Sequence, residues 1–374
     1  MNTILGELGK SKKFVELIKN IEEKQSPIGI SGLSNVGMLE TIASINEYSK
    51  KPIAIITYNE IQAKWIMENI QFFTDKAIYF PKKDIVTYDY VAESKDLPYS
   101  RIEALNKINS KRNYILVTTI EAAMQKLPAK QLLYKNTLKF KVGEIHSLDK
   151  IKQNLVNLGY TRCDLIEGRG QFSLRGGILD ISINDAIGVR VEFWGDEIDS
   201  IRNFNIISQR SINTLEKVEI EPAHEYILEK PIEEICKKVR KTIANDEQEE
   251  IIEQDIEQIK AGNYISKIDK YFDCFYDKQE TIIDYLNTNS IITFDEIRKI
   301  EQRAQNIIKD NEQLIKNLIE KGKVVPQAIS NIQTFSSIEN NTKESEKTII
   351  YIEKQDTKIE RQAQNYNFQY RAIN

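Results

Sequence analysis

A chain of 374 residues, 41% hydrophobic and 29% charged, has the balance of a globular protein with room for two or three domains and well-buried cores. Its formal net charge of -4 provides no overall positive field, so tight sequence-independent binding to phosphate backbones is not expected. Three widely spaced cysteines (Cys163, Cys236, Cys274) without CxxC spacing, and two histidines (His146, His224), argue against a disulfide framework, a zinc site or a histidine-based catalytic network.

The first third alternates short apolar runs with helical patterns, the signature of parallel strands joined by crossover helices. The runs are 28–31 (IGIS), 53–57 (IAIIT), 77–80 (AIYF) and 114–118 (YILVT), with helical stretches at 38–49, 60–73 and 100–109. Residues 1–127 therefore read as one lobe of an α/β parallel sheet with flanking helices. From 128 to 222 the pattern changes to one helix near 148–158 followed by glycine-punctuated strands, GRGQFSLRGGILDISIN and GVRVEFWGDEIDSIRNF. That is the pattern of a small inserted α+β domain with antiparallel hairpins. Residues 223–357 are mostly helical, with charged runs at 231–261 and 297–321 on either side of an apolar strand, 290–294. The charges of EQEEIIEQDIEQIK read as a solvated helix face. Residues 331–347 are polar and read as a loop. The last stretch, 358–374, alternates like a strand and stops without a turn, which reads as the start of a following segment in a cut chain. No apolar run reaches the ~18 residues of a membrane span and the start carries no signal peptide, so a cytoplasmic monomer with no membrane contact is expected.

One motif carries the outline of a nucleotide site. Gly32-Leu-Ser-Asn-Val-Gly37 follows a strand and precedes a helix, the setting and spacing of a P-loop, GxxxxGK[ST]. The lysine that meets the β/γ-phosphates is Met38, and the hydroxyl that holds Mg²⁺ is Leu39. The loop amides still offer an anion cradle at a helix N-terminus, while the alternative is a chance pair of loop glycines. Asp295 and Glu296, after the strand 290–294, stand where a Walker B carboxylate belongs, and equally where a helix takes its first acids. Catalysis is not expected under either reading.

In the insert, strand alternation puts Val189, Val191 and Phe193 on one face and Arg190, Glu192 and Trp194 on the other. Phe172 and Leu174 likewise oppose Ser173 and Arg175. Arginine and tryptophan on a polar sheet face favour a protein interface. A structural cross-strand Arg–Glu pair under a tryptophan lid, or base stacking on Trp194, are the alternatives.

Taken together, these residues resemble a known family. The run from GRGQFSLRGG to EIEPAHEY is similar to the insert shared by the excision-repair protein UvrB and the transcription-repair coupling factors (Mfd). SQRS at 208–211, PAHE at 222–225, and GLSNVGML, YNEIQAKWI and LPYSRIEALNKI upstream favour the coupling factors. The resemblance covers nearly the whole chain. It implies a degenerate RecA-like P-loop fold, two lobes that do not hydrolyse ATP, and an insert that binds UvrA. Family UvrA contacts fall on Arg175 and Arg190; Trp194 stands where the family has phenylalanine, and Glu192 is an implied neighbour. The resemblance places ATP and Mg, RNA polymerase and DNA with other domains of a DNA-translocating parent, and implies no cofactor here. A UvrB-like damage-loading protein is the alternative. Against it, about sixteen residues separate Asp84 from Arg101, too few for a long DNA-gripping hairpin.

Overall fold

In the computed structural model, which describes residues 8–83, 96–243, 245–262, 265–320, 332–354 and 363–368, the expected α/β alternation is realised. Strands β1 (Ile28–Ser31), β2 (Ile53–Thr57), β3 (Ala77–Phe80) and β4 (Ile115–Thr119) alternate with helices Asn35–Ser49, Glu60–Ile70 and Asp96–Ser110. After β5 (Leu127–Pro128) the chain climbs β6 (Leu138–Lys141) into the insert, with its helix Leu148–Asn157. There follow β7 (Thr161–Arg162), β8 (Gln171–Arg175), β9 (Ile178–Ser182), β10 (Ile187–Trp194), β11 (Glu197–Asn205) and β12 (Ser211–Leu215). The chain returns along β13 (Lys217–Ile220), which pairs antiparallel with β6, so the insert stands on a two-stranded stem. Helices Ile232–Arg240, Asp246–Lys260 and Ile265–Phe275 and β14 (Gln279–Glu280) lead to β15 (Ile291–Asp295). Helices Ile297–Glu320 and Phe335–Glu344, β16 (Thr348–Glu353) and β17 (Gln364–Asn367) complete the order.

The main sheet is parallel throughout, in the order β17-β1-β16-β15-β2-β4-β3. β1, β2, β4, β15 and β16 are buried along their whole lengths, whereas the edge strands β3 and β17 are only partly so. Full burial follows from helices packed on both faces, and it selects continuous Ile/Val runs rather than alternation.

Three expectations need correction. The resemblance implied two lobes, but the strands on either side of the insert enter one sheet, because β15 and β16 slot between β1 and β2. The strand expected to open a following segment is the edge of this same sheet, where β17 runs parallel to β1 and the Phe368 amide donates to the Ser31 carbonyl at 3.0 Å. The polar stretch 331–347 contains the helix Phe335–Glu344, started by Thr334, whose Oγ1 accepts from the Ser337 amide at 3.1 Å, and anchored by buried Ile338 and Thr342. Its amphipathic pattern was hidden by polar composition. Residues 84–95, in the short segment before Arg101, lie outside the described residues.

The insert's six-stranded sheet, β12-β11-β10-β9-β8-β7, turns Phe172, Leu179, Val189, Val191, Ile198 and Ile201 onto Ile151 and Leu155 of its helix. This core is continuous with one face of the main sheet. The three helices from Ile232 to Phe275 pack around Ile235, Val239, Ile256 and Phe275.

Where stem, lobe and helices meet, Arg101 is almost wholly out of solvent. Its Nε donates to both Glu225 carboxylate oxygens (2.9 and 3.1 Å), and Nη1 donates to the Pro81 carbonyl (2.7 Å) and Gln125 Oε1 (3.1 Å). Its guanidinium lies 4.2 Å from the Phe80 ring centroid. LPYSR and PAHE, two segments that carried the resemblance, thus meet at one ion pair.

Removing one partner of a buried pair strands the other charge, so Glu225→Ala should cost about 3–5 kcal/mol in urea unfolding. Arg101→Met with Glu225→Leu should lose clearly less than Glu225→Ala alone, because no charge is left uncompensated. Neighbouring His224 is buried, its Nδ1 accepting from the Tyr226 amide at 3.2 Å, and burial pushes its pKa from 6.5 down to about 4. Below 6.5 the unfolded chain takes up a proton that the folded chain refuses, so stability is full above 6.5 and declines as pH falls towards 4. The decline attributable to this group is about 3 kcal/mol, and His224→Gln should remove that part of the acid sensitivity.

Candidate partner-binding face

The hairpin registers decide which side chains meet on the insert's outer face. β9 and β10 place Asp180 opposite Arg190, β8 and β9 place Ser173 opposite Asp180, and β10 and β11 place Arg190 opposite Arg202 and Glu192 opposite Ser200. Directly opposed residues share a face, so these groups form adjoining rows. The expected alternation of β10 holds: Val189, Val191 and Phe193 are buried, Arg190 and Glu192 half-buried, Trp194 exposed. A bulge in β11 at Asp199 lets Ile198 and Ile201, three residues apart, both face the core opposite Phe193 and Val191. Gly177 lies so close to the Phe193 carbonyl that a Cβ would stand 2.6 Å from it, which reserves that turn position for glycine.

At the centre is a carboxylate out of solvent. Arg190 Nε donates to Asp180 Oδ1 at 2.6 Å and Nη2 to Oδ2 at 2.8 Å, with a further bond from Nη2 to Gln209 Oε1 at 3.2 Å. The guanidinium lies 4.7 Å from the Phe204 ring centroid, and the bond to Asp180 raises its already high pKa. Arg175 reaches the same carboxylate through Nη2 at 3.3 Å. Two guanidinium groups on one carboxylate leave a net positive charge, and its accessible part is Arg175: 53% of that side chain is exposed, against 18% of Arg190. Glu192 pairs with Arg202 and accepts from Ser200 Oγ at 2.9 Å. Trp194 is 85% exposed and lids nothing.

Arg175, Arg190, Glu192 and Trp194 therefore do share one face, in two kinds of environment. Arg190 is half-buried and pinned to Asp180, whereas Arg175 and Trp194 are presented outward. The cross-strand Arg–Glu pair of the structural alternative exists, formed by Arg202 with Glu192. Asp180 and Arg202 escaped the sequence reading. Alternation in ILDISIN and DSIRNF puts both on the outer face, but only the hairpin register shows that they are neighbours.

In the segment with P-loop spacing, Gly32 follows β1 with φ +76°, and the helix begins at Asn35, within the span Gly32–Gly37. Ser34 caps it, its Oγ accepting from the Gly37 amide at 3.0 Å and its carbonyl from the Met38 amide at 2.9 Å. Two amides that a phosphate cradle would use are thereby occupied. Met38 and Leu39 are fully buried, in a core with Phe14, Leu17 and Ile30. The β17 end covers the mouth, since a Cβ on Gly32 would stand 2.8 Å from Asn367 Oδ1. At the tip of β15, Asp295 Oδ2 accepts from Thr57 Oγ1 (3.0 Å) and Gln62 Nε2 (3.1 Å). Burial raises the Asp295 pKa against the pull of Lys354 and these bonds. Glu296 pairs with Lys299 at 3.1 Å, and its carbonyl accepts from the Lys299 and Ile300 amides, so it heads the helix Ile297–Glu320.

An α/β body of RecA-like type carrying an outward-facing β domain is the class that this geometry defines, and comparison with known proteins gives the domain a name. The family model of the UvrB interaction domain matches residues 138–226, stem to stem. Over most of its length the chain is similar to transcription-repair-coupling factors. It is 27% identical to that of Bacillus subtilis (strain 168) over 94% of this chain and 31% of the relative. It is 29% identical to that of Staphylococcus aureus (strain bovine RF122 / ET3-1) over 78% and 26%. For Staphylococcus epidermidis (strain ATCC 35984 / DSM 28319 / BCRC 17069 / CCUG 31568 / BM 3577 / RP62A) the identity is 28% over 84% and 28%. The chain spans less than a third of the length of these relatives. The resemblance read from the sequence is borne out: the chain is similar to coupling factors over most of its length and carries the UvrB interaction domain. No helix among the described residues is long and apolar enough to cross a membrane.

Supplying P-loop side chains at these positions should not create a nucleotide site. Met38→Lys with Leu39→Thr puts an ammonium and a hydroxyl into a filled core, and should cost at least ~3 kcal/mol in urea unfolding. Calorimetry with ATP and Mg²⁺ should register no binding; micromolar binding would show that the cradle survives.

Proposed function

We propose that this chain is the UvrA-recruiting module of a transcription-repair coupling factor and performs no catalysis itself. The observation that carries the reading is the outward pair Arg175 and Trp194 on the face of the UvrB interaction domain. An exposed tryptophan and an exposed guanidinium on one face combine large buriable area with directional bonding, the make-up of an interface anchor. Arg190, held by Asp180 and stacked on Phe204, fixes the face before docking, so less order has to be imposed on binding. Non-catalysis is supported by buried Met38 and Leu39 and by the occupied loop amides.

In the whole protein, the module delivers UvrA to a stalled RNA polymerase and so couples transcription to nucleotide excision repair in the cytoplasm. The RNA polymerase and DNA contacts, and the ATP- and Mg-dependent movement on DNA, belong to parts of the parent outside this chain. The overall charge of -4 fits a module whose partner is a protein rather than a phosphate backbone.

Titration of the purified chain with UvrA by calorimetry should give micromolar or tighter binding. Arg175→Ala and Trp194→Ala should each weaken it by about 1–3 kcal/mol without changing the unfolding midpoint. Arg190→Ala should weaken binding and also lower the midpoint, since Asp180 loses its main cation. A folded chain that does not bind UvrA would refute the proposal.

A further inference from the structure

Past Trp194 the outer face does not end. The hairpin brings Glu197 opposite Trp194, and Glu197 is in turn bridged antiparallel to Ile145, in the loop between β6 and the helix Leu148–Asn157. Three backbone bonds hold that loop against β11: Gly143 N to the Ile198 carbonyl (2.8 Å), Ile198 N to the Glu144 carbonyl (2.9 Å) and His146 N to the Asp196 carbonyl (2.8 Å). The loop is thus a short extra strand, and Trp194, Glu197 and Ile145 stand in one row across it. Opposed residues share a face, and the ladder spacing of ~4.8 Å puts Trp194 and Ile145 about 10 Å apart at the backbone.

Ile145 is 77% exposed. Val142, in the same loop, is also exposed, and the acidic Asp196, Glu197 and Glu144 lie alongside Trp194 and Ile145. Glu144 is met by His146 at 3.2 Å, whereas neither Asp196 nor Glu197 has an ion-pair partner among the described residues. The arginines lie at the other end of the face. It therefore has a polarity: cationic around Arg175, apolar at Trp194 and Ile145, anionic at Glu197.

We infer that the UvrA-docking face continues across Glu197 to Ile145, and that its partner presents an apolar surface spanning Trp194 and Ile145 with a cationic side chain set between them and a carboxylate at the Arg175 end. This rests on the UvrA reading above. Continuity with that face selects the occupant, and the separation of cationic Arg175 from anionic Glu197 along it fixes the direction in which it docks. Ile145 contributes apolar area from a segment outside the hairpins, so the stem and the hairpin end are held by the same partner.

The test is calorimetric titration with UvrA of the whole chain and of Ile145→Ala, Glu197→Gln and Glu197→Lys, with Val15→Ala, on an exposed helix position at the far end of the chain, as control. Ile145→Ala should weaken binding about five- to tenfold and Glu197→Lys at least tenfold, with thermal midpoints unchanged because both side chains face solvent. Added salt should weaken the unaltered chain more than Glu197→Gln. If Arg175→Ala and Trp194→Ala weaken binding while Ile145→Ala and Glu197→Lys do not, the extension is wrong and the UvrA reading stands. If the unaltered chain does not bind UvrA, both fall.

Discussion

The arrangement of the molecule depends on one guanidinium that has been taken out of water. An isolated arginine at the position of Arg101 would be untenable, since desolvation costs several kcal/mol per ion. It is tolerated because acceptors arrive from three places: Glu225 at the exit of the insert, the Pro81 carbonyl after β3 and Gln125 after β4. Gln125 Oε1 also receives the Lys83 amide at 2.8 Å, so the same point holds the chain entering the segment before the helix Asp96–Ser110. The directionality of these bonds, more than their net energy, aligns the insert with the lobe, because apolar contact alone tolerates sliding.

The same logic recurs at smaller scale on the insert. Asp180 is buried where it could not stand alone, and Arg190 compensates it with two short bonds. The consequence is a division of labour between two arginines that sequence alone cannot distinguish. One is part of the architecture, and the other is left with half its side chain in solvent. In the main body the reverse has happened. The ends of β1 and β15, where an α/β sheet ordinarily offers a ligand crevice, are filled by Met38, Leu39 and the β17 end, and Asp295 is tied to Thr57 and Gln62. In the structure that crevice is packed with side chains of the body itself.

Much of this was legible in the sequence, for identifiable reasons. Strands 28–31, 53–57, 77–80 and 290–294 are short apolar runs between helical patterns, and each appears within a residue of its expected bounds. The β10 alternation sorted Arg190, Glu192 and Trp194 correctly because half-burial imposes a period of two. What escaped was non-local. TIIYIE, now β16, is as apolar as the strands that were found, but it follows a polar stretch taken for a loop. A single sheet in place of two lobes, the Arg101–Glu225 pair, and the neighbours Asp180 and Arg202 all require knowing which distant segments are adjacent. Composition and periodicity carry no such information.

The order of strands in the main sheet also bears on how the chain can be made. β1 and β2, finished by residue 57, are separated in the sheet by β16 and β15, which arrive up to about 300 residues later. At ~5–20 residues per second, a ribosome leaves the early strands without their central neighbours for some 15 to 60 seconds. Their Ile-rich edges are uncharged and suited to pairing with any strand that comes near. The insert, whose strands β8 to β12 pair as consecutive hairpins, can fold during that interval and occupy the nascent chain's middle as a finished body. The lobe is then the last part to close, and it is the part that needs shielding during synthesis.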